Sequence, residues 1–288
     1  MTPPAHPANP DALLARELGV RQLGAGIFNY IVASGIFALP AFAAVQLGAA
    51  APLAYLACAV LMGLVVVCLA EAGSRVSATG GPSAYVDVAL GPLAGLVAGA
   101  LLLLTDLSAT AAVSSLFSGS FLRLFGAADT PTLRAIVTMA LLVALAATNV
   151  RGVRAGSRVI EMATVAKLLP LLLFVFVGAA SVNTANLAWT ETPSVGRVLG
   201  TSGLLIFAFA GIEAALIPSG EVRDPARTVP RAAFLALGVV TLLYLAVQAV
   251  ALGILGPALA TDRVAPLASA AERVAGAPGR TLLVAGAT

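Results

Sequence analysis

A few polar features stand inside stretches that are otherwise apolar. They are Ser34-Gly35 in FNYIVASGIFALPAF (28–42), Asp106 and Thr110 in TDLSATAAVS (105–114), Lys167 in TVAKLLP (164–170), and Ala210-Gly211 followed by Glu213 in FAFAGIEAALIPSG (207–220). The chemistry they offer is recognition and proton exchange. A helix interrupted at Gly exposes carbonyls at the end of its first half, which attract a cation. It also exposes N–H groups at the start of its second half, which attract an anion. Ionisable groups at membrane depth are costly and mark substrate or ion pathways. A buried lysine gives up its proton more readily than a solvated one, which suits a proton switch. Covalent catalysis has no foothold. The only histidine, His6, sits in the polar, proline-rich start MTPPAHPANPD. The chain has no H-E-x-x-H and no phosphate-cradling G-x-x-x-x-G-K-[ST]. No enzyme, no metal site and no cofactor is expected.

The elements that must hold these residues follow from composition. Of 288 residues, 60% are hydrophobic and only 10% charged, with mean hydropathy +1.01. A soluble domain carries roughly 25% charged residues. Successive apolar stretches of about 18 residues or more are each long enough to span a bilayer, and the segments of about ten alternating residues that mark a barrel are absent. An all-α membrane protein is expected, with spans near 21–45, 51–71, 92–122, 134–150, 158–181, 198–219 and 231–255, and an eighth from 279 onward. After Arg280 the remaining RTLLVAGAT-type sequence is too short to cross about 30 Å of hydrocarbon, so the eighth span is expected to be incomplete. Residues 1–15 read as a disordered tail and 16–288 as the transmembrane domain. Cys58 and Cys68 lie about 15 Å apart on one helix, too far for a disulfide. The net charge of +3 is spread over loops and gives no reason to expect nucleic acid.

Loop arginines orient the chain. A cytoplasmic N-terminus places nine of them inside (16, 21, 75, 151, 154, 158, 223, 227, 231) and six outside (123, 134, 197, 263, 273, 280), the sense the positive-inside rule favours. Trp189, in an outer loop, reads as an interfacial anchor. In this orientation span 1 runs outward, so its break at Ala33, Ser34 and Gly35 presents N–H groups at the midplane. Span 6 runs inward, so its break at Ala210-Gly211 presents carbonyls. An anion seat facing a cation seat suits a zwitterion such as an α-amino acid, with irregular backbone tolerated where it lines a cavity. A pair of interrupted spans in corresponding positions points to an inverted-repeat transporter. The plainer alternative is that Gly serves close helix packing.

Several stretches carry a family resemblance. SGIFALPA (34–41) resembles the G-S-G-I-F-x-x-P signature of the amino acid–polyamine–organocation (APC) superfamily. ATGGPSAYVDVALG (78–91), TNVRGVRAGSRV (148–159) and FAFAGIEAALIPSGEVRDPARTVPRA (207–232) resemble its loop after span 2, its loop before span 5, and its span 6 with the loop beyond. TDLSATAAVS resembles a span 3 pattern of some members, with Leu107 in place of the usual Tyr. Ala33 stands where the family usually has Gly, a methyl that tightens the seat.

The resemblance implies a LeuT-like five-plus-five inverted repeat, incomplete here: spans 1–7 and the start of 8, with helices 1 and 6 broken. The first repeat would cover about 16–182 and part of the second about 196–288. It implies a plasma-membrane, multi-pass secondary transporter for amino acids or related amines, coupled to protons or exchanging. The carboxylate would sit on Ala33, Ser34 and Gly35, and the ammonium on carbonyls around Tyr30, Ile31, Phe207, Ala208, Ala210 and Gly211. Asp106 and Thr110 would read the side chain, and Phe207 would gate the site. Lys167, matching a lysine that replaces sodium in some members, and Glu213 would couple protonation to gating. Each has a plainer reading: Lys167 as structural glue, Glu213 as a helix cap, Asp106 in an interhelical hydrogen bond, Phe207 in packing. Two rivals remain open, a potassium transporter on the same fold and a non-transporting fragment. Spans 8 and 10 normally complete such a site, so residues 1–288 alone are expected not to transport.

Overall fold

The computed structural model describes residues 16, 18–33, 35–76, 78–150, 153–189, 191–262 and 265–287. Ser34 lies outside them. The described residues are mostly helical and hold no strand beyond one isolated bridge. The first span is two helices, α1 (Val20–Ile31) and α2 (Gly35–Leu47), and a turn at Gly48–Ala50 leads to α3 (Ala51–Arg75). Next come α4 (Pro82–Leu90), α5 (Pro92–Leu124), α6 (Pro131–Val150) and α7 (Val153–Ala179). The sixth span is again two helices, α8 (Val195–Phe209) and α9 (Ile212–Ala215); α10 (Pro225–Leu255) and α11 (Pro266–Ala287) follow. Six helical stretches are long and apolar enough to cross a membrane, the first uniting α2 and α3. The chain is an all-α membrane protein.

Helices α4, α5, α6, α10 and α11 each begin at a proline. Proline fits there because its fixed φ is already helical and its missing N–H would have no partner in the first turn. Two elements differ from the sequence expectation. The segment 78–91, read as a loop, contains α4. The last helix begins at Pro266 rather than at 279, and kinks at Gly276 (φ 65°, ψ −158°). Its first part is too polar to read as a span, yet it buries Leu267, Ala268, Ala270 and Ala271 on one face. Hydropathy finds runs that suit lipid and overlooks an amphipathic helix that docks on protein. The Arg280 guanidinium, 2.8 Å from the Glu272 carboxylate, ties the two sides of the kink together.

The buried centre lies among α1, α2, α3, α8 and α10. Tyr55, Tyr244, Phe209, Ile27, Ile36 and Leu205 are its largest fully buried side chains in these helices. Lipid is as apolar as leucine, so packing and interhelical hydrogen bonds hold such helices together. Small buried residues serve that packing: Ala51, Ala54 and Cys58 on α3, and Ala232, Ala233 and Ala236 on α10. Helices α5 and α6 pack on each other and leave their apolar side chains uncovered.

At the end where the chain enters α1, three segments are joined by backbone. Leu18 donates to the Glu221 carbonyl (3.0 Å) and accepts from Arg223 N–H (2.9 Å), an isolated parallel bridge. Gly80 N–H donates to the Ile217 carbonyl (2.8 Å). Gly81 is held at φ 55°, and a Cβ there would lie 2.9 Å from the backbone of Leu216 and Ile217. The contact therefore requires glycine on two counts, left-handed backbone and absent Cβ. Gly81→Ala is expected to cost about 1–3 kcal/mol and to lower the melting temperature. An unchanged melting temperature would show that this docking does not support the fold.

Candidate functional site

The break in span 1 is built by the backbone itself. Val32 N–H closes the last turn of α1 on the Phe28 carbonyl (2.8 Å), and Ala33 N–H then folds back onto the Ile31 carbonyl (2.9 Å). The helix resumes at Gly35, whose hydrogen faces the Cα of Ala208; a Cβ there would lie 3.8 Å from it. The break in span 6 has a different cause. Ala210 donates to the Ile206 carbonyl (2.9 Å) and then turns extended (ψ 154°), and Gly211 is left-handed at φ 114°. Gly211 N–H donates to both oxygens of the Glu213 carboxylate, each at 3.1 Å. The two breaks abut: a Cβ on Gly211 would lie 3.1 Å from Cβ and 3.2 Å from the carbonyl of Tyr30.

A residue the sequence reading overlooked joins them. The hydroxyl of Tyr244 on α10 lies 3.0 Å from the Ile31 carbonyl and 3.0 Å from the Ala208 carbonyl. Its one proton is shared between the ends of two helices, whose last carbonyls have no partner within their own helix. The ring is fully buried and packs edge-on against Phe209 (5.1 Å between centroids) and Tyr55 (6.1 Å). One turn along α10, Gln248 donates to the Pro40 carbonyl of α2 (3.4 Å). Two polar side chains four residues apart in the apolar run TLLYLAVQAV were the signal: at that spacing they share one helix face.

The other site residues are placed as follows. Ile31 and Ala208 are buried, and Ala33 is half-buried with its N–H already used in the turn. Tyr30 is 52% exposed and lines a cavity of about 680 Å³ between α1, α7 and the segment after α9, which runs toward Arg21 and Pro218. Asp106 is half-buried. Thr110 is exposed. Phe207 is 75% exposed, and the buried aromatic next to it is Phe209. Three consecutive helical residues face three directions, so Phe207 and Phe209 cannot both face the break.

Lys167 is half-buried and makes no hydrogen bond or ion pair among the described residues. Its depth follows from a neighbour. The Asn29 side-chain amide donates to the Thr164 hydroxyl, tying α1 to α7. Spans 1 and 5 run the same way through the membrane. Lys167, three residues beyond Thr164 and about 4.5 Å further along, is therefore level with Val32 and Ala33. Beyond it, Gly286 of α11 packs closely on Pro170; a Cβ there would lie 2.8 Å from the ring. Among the described residues no cluster of His, Cys, Asp and Glu could hold a metal ion.

Comparison with known proteins agrees with this architecture. The chain is 33% identical to an uncharacterized transporter of Mycobacterium tuberculosis over 96% of its own length and 61% of that protein's. It is 28% identical to the branched-chain amino acid permease BcaP of Bacillus subtilis, over 84% of its own length and 56% of the permease. It is 29% identical to the human Asc-type amino acid transporter 1, over 80% and 47% respectively. The chain thus spans 61% or less of the length of these relatives. The amino acid permease profile matches residues 18–287, nearly the whole described chain, and the protein belongs to the amino acid permease family.

Proposed function

We propose that the protein is a secondary active transporter that moves amino acids across the plasma membrane by alternating access, in a LeuT-like inverted repeat with a cytoplasmic N-terminus. The observation that carries this reading is the meeting of two interrupted helices, Gly211 against Tyr30, with Tyr244 bridging Ile31 and Ala208. The substrate carboxylate binds the N–H groups that open α2 at Gly35, together with Ser34. Ala33 contributes shape rather than a donor, because its N–H is spent on Ile31. The ammonium binds carbonyls at the ends of α1 and α8, around Tyr30, Ile31, Phe207, Ala208 and Ala210. The Ile31 carbonyl already accepts from Ala33 N–H and from the Tyr244 hydroxyl, one per lone pair, so the ammonium reaches it only by displacing one of them. Asp106 and Thr110 read the side chain, and the cavity below Tyr30 is the path to the cytoplasm. Two of the relatives above, BcaP and the Asc-type transporter, are named for amino acids, which supports that substrate class.

Coupling to protons, or exchange, rests on Lys167 and Glu213. Lys167 is the only lysine in the chain and is level with the first break. Glu213 caps Gly211, and its carboxylate accepts that N–H only weakly once protonated. Proton binding there loosens the second break.

The test is thermal stabilisation of the purified chain by the standard amino acids and common polyamines, at mildly acidic and mildly alkaline pH. One amino acid class should raise the melting temperature, more at one pH than the other, and Lys167→Met should remove that difference. The half-buried Asp106 favours a second reading, a potassium site. Stabilisation by potassium or sodium alone, with no amino acid effective, would replace the first reading by the second.

A further inference from the structure

A second, smaller pocket lies at the end of the bundle opposite the start of α1. It has a volume of about 170 Å³ and forms where the turn after α2 (47–50) meets the segment leading into α8. Trp189, Glu191, Pro193 and Arg197 line it. Arg197 sits in the first turn of α8, its backbone N–H capped by the Ser194 hydroxyl at 3.3 Å. Its guanidinium donates to the Gln46 carbonyl at the end of α2, which fixes it across the pocket. A guanidinium has five N–H donors, so most remain available. Glu191 makes no ion pair with it and no hydrogen bond among the described residues. Opposite charges thus line one small pocket without neutralising each other, beside a half-exposed indole ring.

We infer that this pocket recognises a small zwitterion, with its anionic end on Arg197 and its ammonium between Glu191 and Trp189. Arginine holds carboxylates and phosphates through paired N–H donors. An ammonium is drawn both to a carboxylate and to the face of an indole. The first turn of α8 adds its helix dipole to the anionic end. At about 30 Å³ for a water-sized group, the pocket takes roughly five or six heavy atoms, the size of glycine or alanine. A phosphoethanolamine lipid head group presents the same pair of charges but is larger than the pocket, so part of its phosphate would stay outside, at the membrane–water boundary that Trp189 suits. The pocket is separate from the two helix breaks and stands whether or not they bind substrate.

Trp189 is the only tryptophan of the chain, so its emission reports on this pocket alone. The purified full chain is titrated with glycine and, separately, with phosphoethanolamine; acetate and ammonium are run as half-ligands. A saturable change with a zwitterion is expected, weakened about tenfold in Arg197→Gln and in Glu191→Gln. A response to glycine identifies a free amino acid as the occupant, and a response confined to phosphoethanolamine identifies a lipid head group. The inference is overturned by no saturable change with either probe, by acetate or ammonium alone giving the same change, or by both variants titrating like the parent chain.

Discussion

Tyr244→Phe is expected to weaken amino acid binding by about tenfold to a hundredfold while leaving the helices intact. Phenylalanine keeps the edge-on contacts with Phe209 and Tyr55, which involve the ring. What it removes is the hydroxyl shared between Ile31 and Ala208. Losing the donor to a buried acceptor costs about 1–3 kcal/mol, and every 1.4 kcal/mol is a factor of ten. The loss falls on the relative placement of the two breaks, not on any one helix. Titrating the stabilising amino acid against wild type and Y244F by thermal shift gives the affinity ratio. Circular dichroism checks that the helices remain. Equal affinities would mean that the ends of α1 and α8 do not form the substrate seat together.

Gly211→Ala should be the more damaging of the two for the fold as well as for binding. The residue sits at φ 114°, where a side chain is strained, and the added Cβ would meet Tyr30 at 3.1–3.2 Å. Strain of this kind costs about 1–3 kcal/mol, and separating α9 from α1 adds to it. The melting temperature should fall, and the amino acid should no longer stabilise the chain. Alanine keeps the N–H that the Glu213 carboxylate accepts, so the loss comes from the strained turn and the contact with Tyr30, not from a missing donor. If G211A melts and binds like the parent chain, the contact between Gly211 and Tyr30 is incidental, and the proposed site moves elsewhere.

Both predictions depend on contacts between segments far apart in sequence. Gly211 and Tyr30 are one such pair, and Tyr244 with Ile31 another. The same division runs through the fold. Apolar length marked the spans, because lipid demands about 20 apolar residues per helix and that demand is local. The breaks were visible as Ala33-Ser34-Gly35 and Ala210-Gly211, because interruption of a helix is also a property of neighbouring residues. The prolines that open five helices are local signals too, but the expected spans do not use them: they begin at 134 and 231, inside helices that start at Pro131 and Pro225. The amphipathic start of α11 and the short α4 were not legible, because their burial depends on the surface that receives them.

The sequence by itself determined an all-α membrane protein, interrupted in its first and sixth spans, with Lys167, Asp106 and Glu213 as the polar groups to explain. Only the tertiary structure decided what those groups meet. It gave the Glu213 carboxylate to Gly211, set Lys167 level with the first break through the Asn29–Thr164 bond, and left Phe207 exposed while burying Phe209. It also brought out Tyr244, which the spacing to Gln248 only hinted at. The physical reason is that helix formation is satisfied within a segment, residue to residue. The partner of an unpaired carbonyl at a broken helix end must come from another segment, and only packing chooses which.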